Sequence, residues 1–164
     1  MDLFILRHGK AEKSSDGTPD AARALTRDGK EGVKRVAQWM KGNKIRFDAI
    51  ATSPLKRARG TAKIVAAVLD QKDRLGVWEE LAPGGDLDTV CYHASGYGEH
   101  ASVLVIGHEP GLSMLVSKII GDKSTGSLGF AKAGLAKIQN YSYTKRPSGD
   151  LQWLLTPKHM KDKR

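Results

Sequence analysis

The chain has 164 residues, 40% of them hydrophobic and 27% charged, with a formal net charge of +9 and one cysteine, Cys91. That length and composition fit one domain with a core of its own, no apolar run reaches the roughly 20 residues of a membrane helix, and a lone cysteine excludes an intramolecular disulfide or a thiolate metal cluster. The positive balance favours anionic partners, namely phosphates, nucleic acid or acidic protein surfaces, yet no basic helix, zinc-finger spacing or aromatic-basic motif marks a nucleic-acid module. Met1 to Leu6 lacks the basic start of a signal peptide, so a cytoplasmic protein is expected.

Residues 2–6 are short, apolar and β-compatible, and predict a buried strand. Residues 10–24 are polar, with Ser14-Ser15-Asp16-Gly17 and Pro19, and predict a loop. Thr26 followed by Asp28 and Glu31 predicts a capped helix start, and Val33, Val36, Ala37 and Met40 carry its apolar stripe to an end near Gly42. Phe47–Thr52 predicts a second strand. Ser53-Pro54 is expected to open a second helix, with Pro54 in the first turn and Ala58, Ala62, Val65, Ala66 and Leu69 facing the core. A short strand over 75–78, a loop over 79–86 and a helix from Leu87 to about Tyr97 follow. Val103–Ile106 predicts a buried strand, and residues 111–120 a helix. Two last strands, 134–138 and 151–155, are expected to meet as a hairpin through Pro147-Ser148-Gly149-Asp150. This order predicts an α/β fold, a three-layer α/β/α sandwich around a mostly parallel central sheet. One domain is expected over 1–157. Residues 158–164 then form a basic tail, with four basic residues against Asp162.

The chemistry lies where strands end. Leu3-Phe4-Ile5-Leu6 runs into Arg7-His8-Gly9, and Val103-Leu104-Val105-Ile106 runs into Gly107-His108-Glu109. In a parallel sheet the strands' carboxyl ends share one edge, which is where ligands bind in open α/β folds. Ser53-Pro54-Leu55-Lys56-Arg57 follows a third strand, so Arg7, His8, Arg57 and His108 are expected to converge. A histidine can attack phosphorus, and guanidinium groups can hold the three oxygens of a transferring phosphoryl group. Gly9 is expected to let the backbone approach an anion. His93 and His100 sit in a polar stretch without metal-ligand spacing, so no metal is expected, and Cys91 is expected to be a small filler.

Several segments together resemble the histidine phosphatase, or phosphoglycerate mutase-like, superfamily and its small SixA-type branch of phosphohistidine phosphatases. They are Leu6-Arg7-His8-Gly9-Lys10-Ala11-Glu12, Arg23-Ala24-Leu25-Thr26-Arg27-Asp28-Gly29, Ser53 to Thr61, Glu80 to Asp86, and Val103 to Pro110, in that order. The resemblance implies a phosphoglycerate mutase-like sandwich. It implies His8 as the phosphorylated nucleophile, Arg7 and Arg57 as grips on the phosphoryl oxygens, and His108 as the second histidine of the phosphate pocket. Glu80 falls where many members carry an acidic proton donor, although beside Glu79 it reads equally as part of an exposed acidic pair. Arg23 is expected at the pocket rim.

Only 27 residues separate Glu80 from His108, which leaves no room for the large lid insertion of sugar-phosphate members. An open pocket suits a phosphoryl group presented on a protein surface. The expectation is therefore a phosphohistidine phosphatase, needing no cofactor or metal, whose substrate is a phosphohistidine-carrying phosphotransfer protein and whose product is inorganic phosphate. A broad phosphomonoesterase or sugar-phosphate phosphatase on the same pocket is the alternative. A non-catalytic phosphate- or nucleic-acid-binding module is a third reading, which the full set of four pocket residues disfavours.

Overall fold

In the computed structural model, which describes residues 1–15, 17–121 and 128–160, six strands form one sheet with helices on both faces. In chain order the main elements are β1 (Asp2–Arg7), α1 (Arg27–Gly42), β2 (Ala49–Thr52), α2 (Lys56–Val68), β3 (Leu75–Val77), α3 (Leu87–Ser95), β4 (Ser102–Gly107), α4 (Gly111–Ile120), β5 (Leu135–Tyr143) and β6 (Pro147–Leu155). The strand order across the sheet is β3-β2-β4-β1-β5-β6. β1, β4, β2 and β3 run parallel, while β5 is antiparallel to β1 and β6 to β5. No helix of the described residues is long and apolar enough to cross a membrane.

The two-residue period of a strand divides the core into two layers. Phe4 and Leu6 of β1 face Val33, Val36 and Met40 of α1 and Ala58, Ala62 and Val65 of α2. Leu3 and Ile5 face Val90, Cys91 and Ala94 of α3 and Leu112, Leu115 and Ile119 of α4. Strands β1 and β4 are buried on both faces, as their unbroken apolar runs require. Each Leu or Ile fully withdrawn from water here contributes about 1.5–3 kcal/mol. Cys91 is fully buried in this layer and burial pushes its thiol up to about 11, so it packs as an apolar filler. Met160 is also buried, against the α1 side of the sheet, so packing continues through the turn at Pro157–His159; the last four residues of the expected basic tail lie outside the described residues.

Two local expectations change. Thr26 does cap α1, accepting from the Gly29 N–H at 3.0 Å. In α2, however, Leu55 is the N-cap and Pro54 stands before the helix. The Ser53 hydroxyl takes the Leu55 N–H at 3.3 Å, forming a tight turn that delays the helix by two residues. At the far end the hairpin turn falls at residues 144–146, and Pro147-Ser148-Gly149-Asp150 belongs to β6. Pro147 opens an edge strand, where its missing N–H costs nothing. The register shift between Gln139 and Ser142, with Asn140 at φ 53°, takes up the irregularity that its turn-forming residues announce.

Candidate active site

The register of the parallel strands brings the site together. Arg7 pairs with Gly107 and Thr52 with Ile106, so His8, Ser53 and His108 leave the sheet side by side at one edge. The His8 N–H donates to the Gly107 carbonyl at 3.1 Å, and the His8 carbonyl accepts from the Ala133 N–H at 3.2 Å. The two imidazole rings lie 5.0 Å apart, centre to centre. His8, Arg57 and His108 are only 3%, 5% and 5% exposed.

Hydrogen bonds set the protonation pattern of His8. Its Nδ1 lies 2.7 Å from the Gly9 carbonyl, an acceptor only, so Nδ1 carries the proton. Its Nε2 is left with the lone pair and accepts from Arg57 Nε at 3.3 Å. Burial first, then the positive charges of Lys132 and Arg57 and the neighbouring His108, push its pKa down to about 3, against the raising effect of the Gly9 carbonyl. The ring is therefore neutral at pH 7, with a directed lone pair.

His108 is oriented through Ser53. The fully buried Ser53 hydroxyl accepts from the Leu55 N–H and stands 2.8 Å from His108 Nε2. Its own hydrogen has no other acceptor among the described residues, which assigns it to Nε2 and leaves His108 Nδ1 as an N–H donor. Burial, followed by Arg57, holds the pKa of His108 down to about 4. Both His108 Nδ1 and Arg7 Nε are buried without a hydrogen-bond partner among the described residues. Two orphaned donors beside a lone pair fit an oxyanion, since a buried donor left unpaired is costly. Arg7 is fixed by its Nη1, which donates to the Phe130 carbonyl at 2.6 Å.

Arg57 stands in the first turn of α2, and Thr61 one turn on donates to its carbonyl at 2.8 Å while accepting the Gly9 N–H at 3.1 Å. That pair ties α2 to the end of β1. Gly9 itself serves packing more than anion approach: a Cβ there would stand 2.6 Å from Val33 of α1 and 2.9 Å from the Gly29 carbonyl.

Sequence reasoning missed three residues. Asp20 accepts from Arg57 Nη2 at 3.0 Å and, through its carbonyl, from Arg57 Nη1 at 2.8 Å. It also pairs with Arg23 at 2.7 Å, which places Arg23 on the rim through Asp20. Lys132 lies on the turn before β5, tied to β1 by the Ala133–His8 and Arg7–Gly134 backbone bonds. Burial, and repulsion by Arg7, Arg23 and Arg57, hold its ammonium below the usual lysine range. The signal for Lys132 was topological, because the start of an antiparallel neighbour must lie beside the end of β1. Ser53 was legible as a turn residue but not as the partner of His108. Glu80 shares a cleft of about 280 Å³ with His108, which neither His8 nor Arg57 lines. Its carboxylate lies against His93 of α3. At the other side of the site Arg57 lies against His8 Nε2, and Asp20 holds Arg57 there.

The family model described as histidine phosphatase superfamily (branch 1) matches residues 3–82, which include Arg7, His8 and Arg57. The phosphohistidine phosphatase SixA of Escherichia coli (strain K12) is 29% identical over 163 residues, covering 98% of this chain and 97% of the relative. This chain belongs to the histidine phosphatase superfamily. An uncharacterised protein of Picosynechococcus sp. (strain ATCC 27264 / PCC 7002 / PR-6) is 32% identical over 142 residues, covering 85% of this chain and 86% of that protein. Among solved structures, the protein histidine phosphatase SixA complexed with tungstate superposes with a TM-score of 0.86 at 29% identity, over 98% of this chain and 100% of the other. The α-ribazole phosphatase from Shigella flexneri superposes with a TM-score of 0.76 at 19% identity, over 96% and 97% of the two chains, and so shares the fold.

Proposed function

We propose that the protein is a phosphohistidine phosphatase acting on a phosphohistidine-carrying phosphotransfer protein, through a phosphorylated His8. The observation that carries this reading is the 2.7 Å bond from His8 Nδ1–H to the Gly9 carbonyl, which directs the Nε2 lone pair toward Arg57. The SixA relatives support the substrate class. So does the solved SixA structure with tungstate, a tetrahedral oxyanion of the shape of phosphate.

In the first step His8 Nε2 forms a bond to phosphorus as the substrate's P–N bond breaks. The substrate imidazole, protonated on its other nitrogen, leaves neutral and needs no acid. Arg7 Nε, Arg57 and His108 Nδ1 donate to the equatorial oxygens, where charge is spread in the transition state. Phosphorylated His8 keeps its Nδ1 proton and is itself a cationic imidazolium, a good leaving group. Water then attacks phosphorus, the Nε2–P bond breaks, and the water proton leaves with inorganic phosphate. The cationic donors supply the charge stabilisation in this scheme, so activity survives a chelator. The stretch between β3 and β4 supports a protein-borne substrate, because α3 within it is packed into the core through Val90, Cys91 and Ala94.

The test is phosphate release from a phosphohistidine peptide, phosphoramidate and an alkyl phosphate, with chelator present. Wild type is expected to cleave both P–N compounds faster than the ester, and acid-quenched enzyme to carry phosphate on His8. His8→Ala is expected to abolish both. Release that persists in His8→Ala refutes the nucleophile, and faster ester cleavage favours the phosphomonoesterase reading.

A further inference from the structure

A groove of about 660 Å³ lies beside the phosphate pocket, between residues 21–25 and α2. Its cationic lining is Lys30 of α1 with Lys56, Arg59 and Lys63 of α2, and no acidic residue lines it. Lys56, Arg59 and Lys63 are spaced i, i+3, i+7 and so form one stripe on α2. The neighbouring faces of that helix are occupied, Arg57 and Thr61 by the site and Ala58, Ala62 and Val65 by the core.

The fold does not ask for this stripe. All four cations are exposed, and no described carboxylate is within ion-pair distance of any of them. Lys56 stands with Arg57 in the first turn of α2, where there is no acid, and a cation at the positive end of a helix is unfavourable. Lys56–Arg59 and Arg59–Lys63 are like-charge neighbours one turn apart, which also weakens the helix. The floor is apolar, from Leu25, Pro54 and Ile64, and no aromatic side chain lines the groove. Stacking of nucleic-acid bases therefore has no platform, whereas a carboxylate-bearing segment with an apolar residue finds both complements. The groove also adjoins the chemistry: its wall residue Ala21 follows Asp20, which holds Arg57.

We propose that the groove between residues 21–25 and α2 is the docking site for an acidic, partly apolar segment of the phosphorylated protein substrate. This assignment rests on the phosphohistidine-protein reading of the site. Rim charges of this kind act mainly on encounter rate and its salt dependence.

The experiment compares wild type with the triple variant Lys56→Ala/Arg59→Ala/Lys63→Ala. Three substrates are used: a phosphohistidine peptide flanked by Glu and Leu, the same peptide with Gln for Glu, and phosphoramidate. In wild type, kcat/KM is expected to favour the Glu peptide by about tenfold at low salt, an advantage that shrinks as salt rises. In the triple variant the two peptides become equivalent, while phosphoramidate hydrolysis stays within twofold of wild type. A Glu preference that survives in the variant overturns the proposal, and so does a parallel loss on phosphoramidate. Fluorescence titration with the unphosphorylated Glu peptide tests docking apart from catalysis: binding is expected in wild type and a loss of about tenfold in the variant. Docking without phosphate release from any P–N compound refutes the proposed function and not the groove. Release without docking refutes the groove alone, and tighter binding of oligouridylate than of the Glu peptide overturns the protein assignment.

Discussion

Arg57 gives both terminal guanidinium nitrogens to Asp20, one to the carboxylate at 3.0 Å and one to the backbone carbonyl at 2.8 Å, while its Nε points at His8 Nε2. Under the proposed mechanism, an anion bound against His8 would compete with the Asp20 carboxylate for the same guanidinium. The carboxylate is about half exposed and Arg57 almost buried, at 54% and 7% of their side chains. Exposed pairs contribute about 0.2–1 kcal/mol, and this one belongs at the upper end. Asp20→Asn keeps the backbone bond and removes the competing charge. The inhibition constant for inorganic phosphate is expected to fall about two- to fivefold in that variant. An unchanged or higher constant would show that Asp20 positions Arg57 for the anion and does not compete with it.

The depressed pKa values of His8 and His108, about 3 and about 4 against an ordinary 6.5, carry a stability consequence. Above about pH 6.5 both histidines are neutral, folded or unfolded. Below it the unfolded chain takes up protons that the folded protein refuses, so folding stability falls as pH drops toward 4. The urea midpoint is expected to decline from pH 7.5 to 4.5, and more shallowly in His8→Asn and His108→Asn. Imidazole nitrogen shifts of these two residues should stay constant from pH 7.5 to about 5.5. A titration of either ring near pH 6.5 would contradict the assigned environment.

The convergence of Arg7, His8, Arg57 and His108 was legible because each stands where a strand runs out or a helix begins, and a parallel sheet forces those ends together. Apolar runs marked β1 and β4, and Thr26 marked the start of α1. Asp20 was not legible, because residues 10–24 have no periodicity and nothing local says which arginine a loop carboxylate will meet. The hairpin was displaced because Pro147 and Gly149 have the chemistry of a turn yet are tolerated at an edge strand. Gly9 was given to the ligand, when the close neighbour is α1. A tripeptide does not disclose what packs across it.

That last contact gives a paired stability test on one helix. A Cβ on Gly29 would stand 2.0 Å from the Lys10 carbonyl oxygen, so backbone has to move. Gly32, one turn along α1, has nothing within 4 Å of a built Cβ. Gly32→Ala is expected to raise stability by about 0.5–1 kcal/mol through helix propensity. Gly29→Ala is expected to lower it by about 2 kcal/mol or more, as overpacking against fixed backbone does. Equal effects in thermal or urea unfolding would mean that the approach of α1 to Lys10 is looser than the backbone geometry implies.

Under the proposed phosphohistidine reading, Glu80 decides how far the site can serve other substrates. An alkyl phosphate has a poor leaving group that needs a proton, whereas a protonated phosphohistidine does not. The Glu80 carboxylate lies against His93 and shares its cleft with His108, not His8. Phosphoramidate hydrolysis by Glu80→Gln is therefore expected within about threefold of wild type, since general acid catalysis is typically worth about a hundredfold or more where it operates. Alkyl phosphate hydrolysis should already be slow in wild type and change equally little. A loss of a hundredfold on the ester, with the P–N substrate spared, would identify Glu80 as a proton donor that reaches the leaving group only when substrate is bound. A hundredfold loss on both would place it in the chemistry of His8 itself.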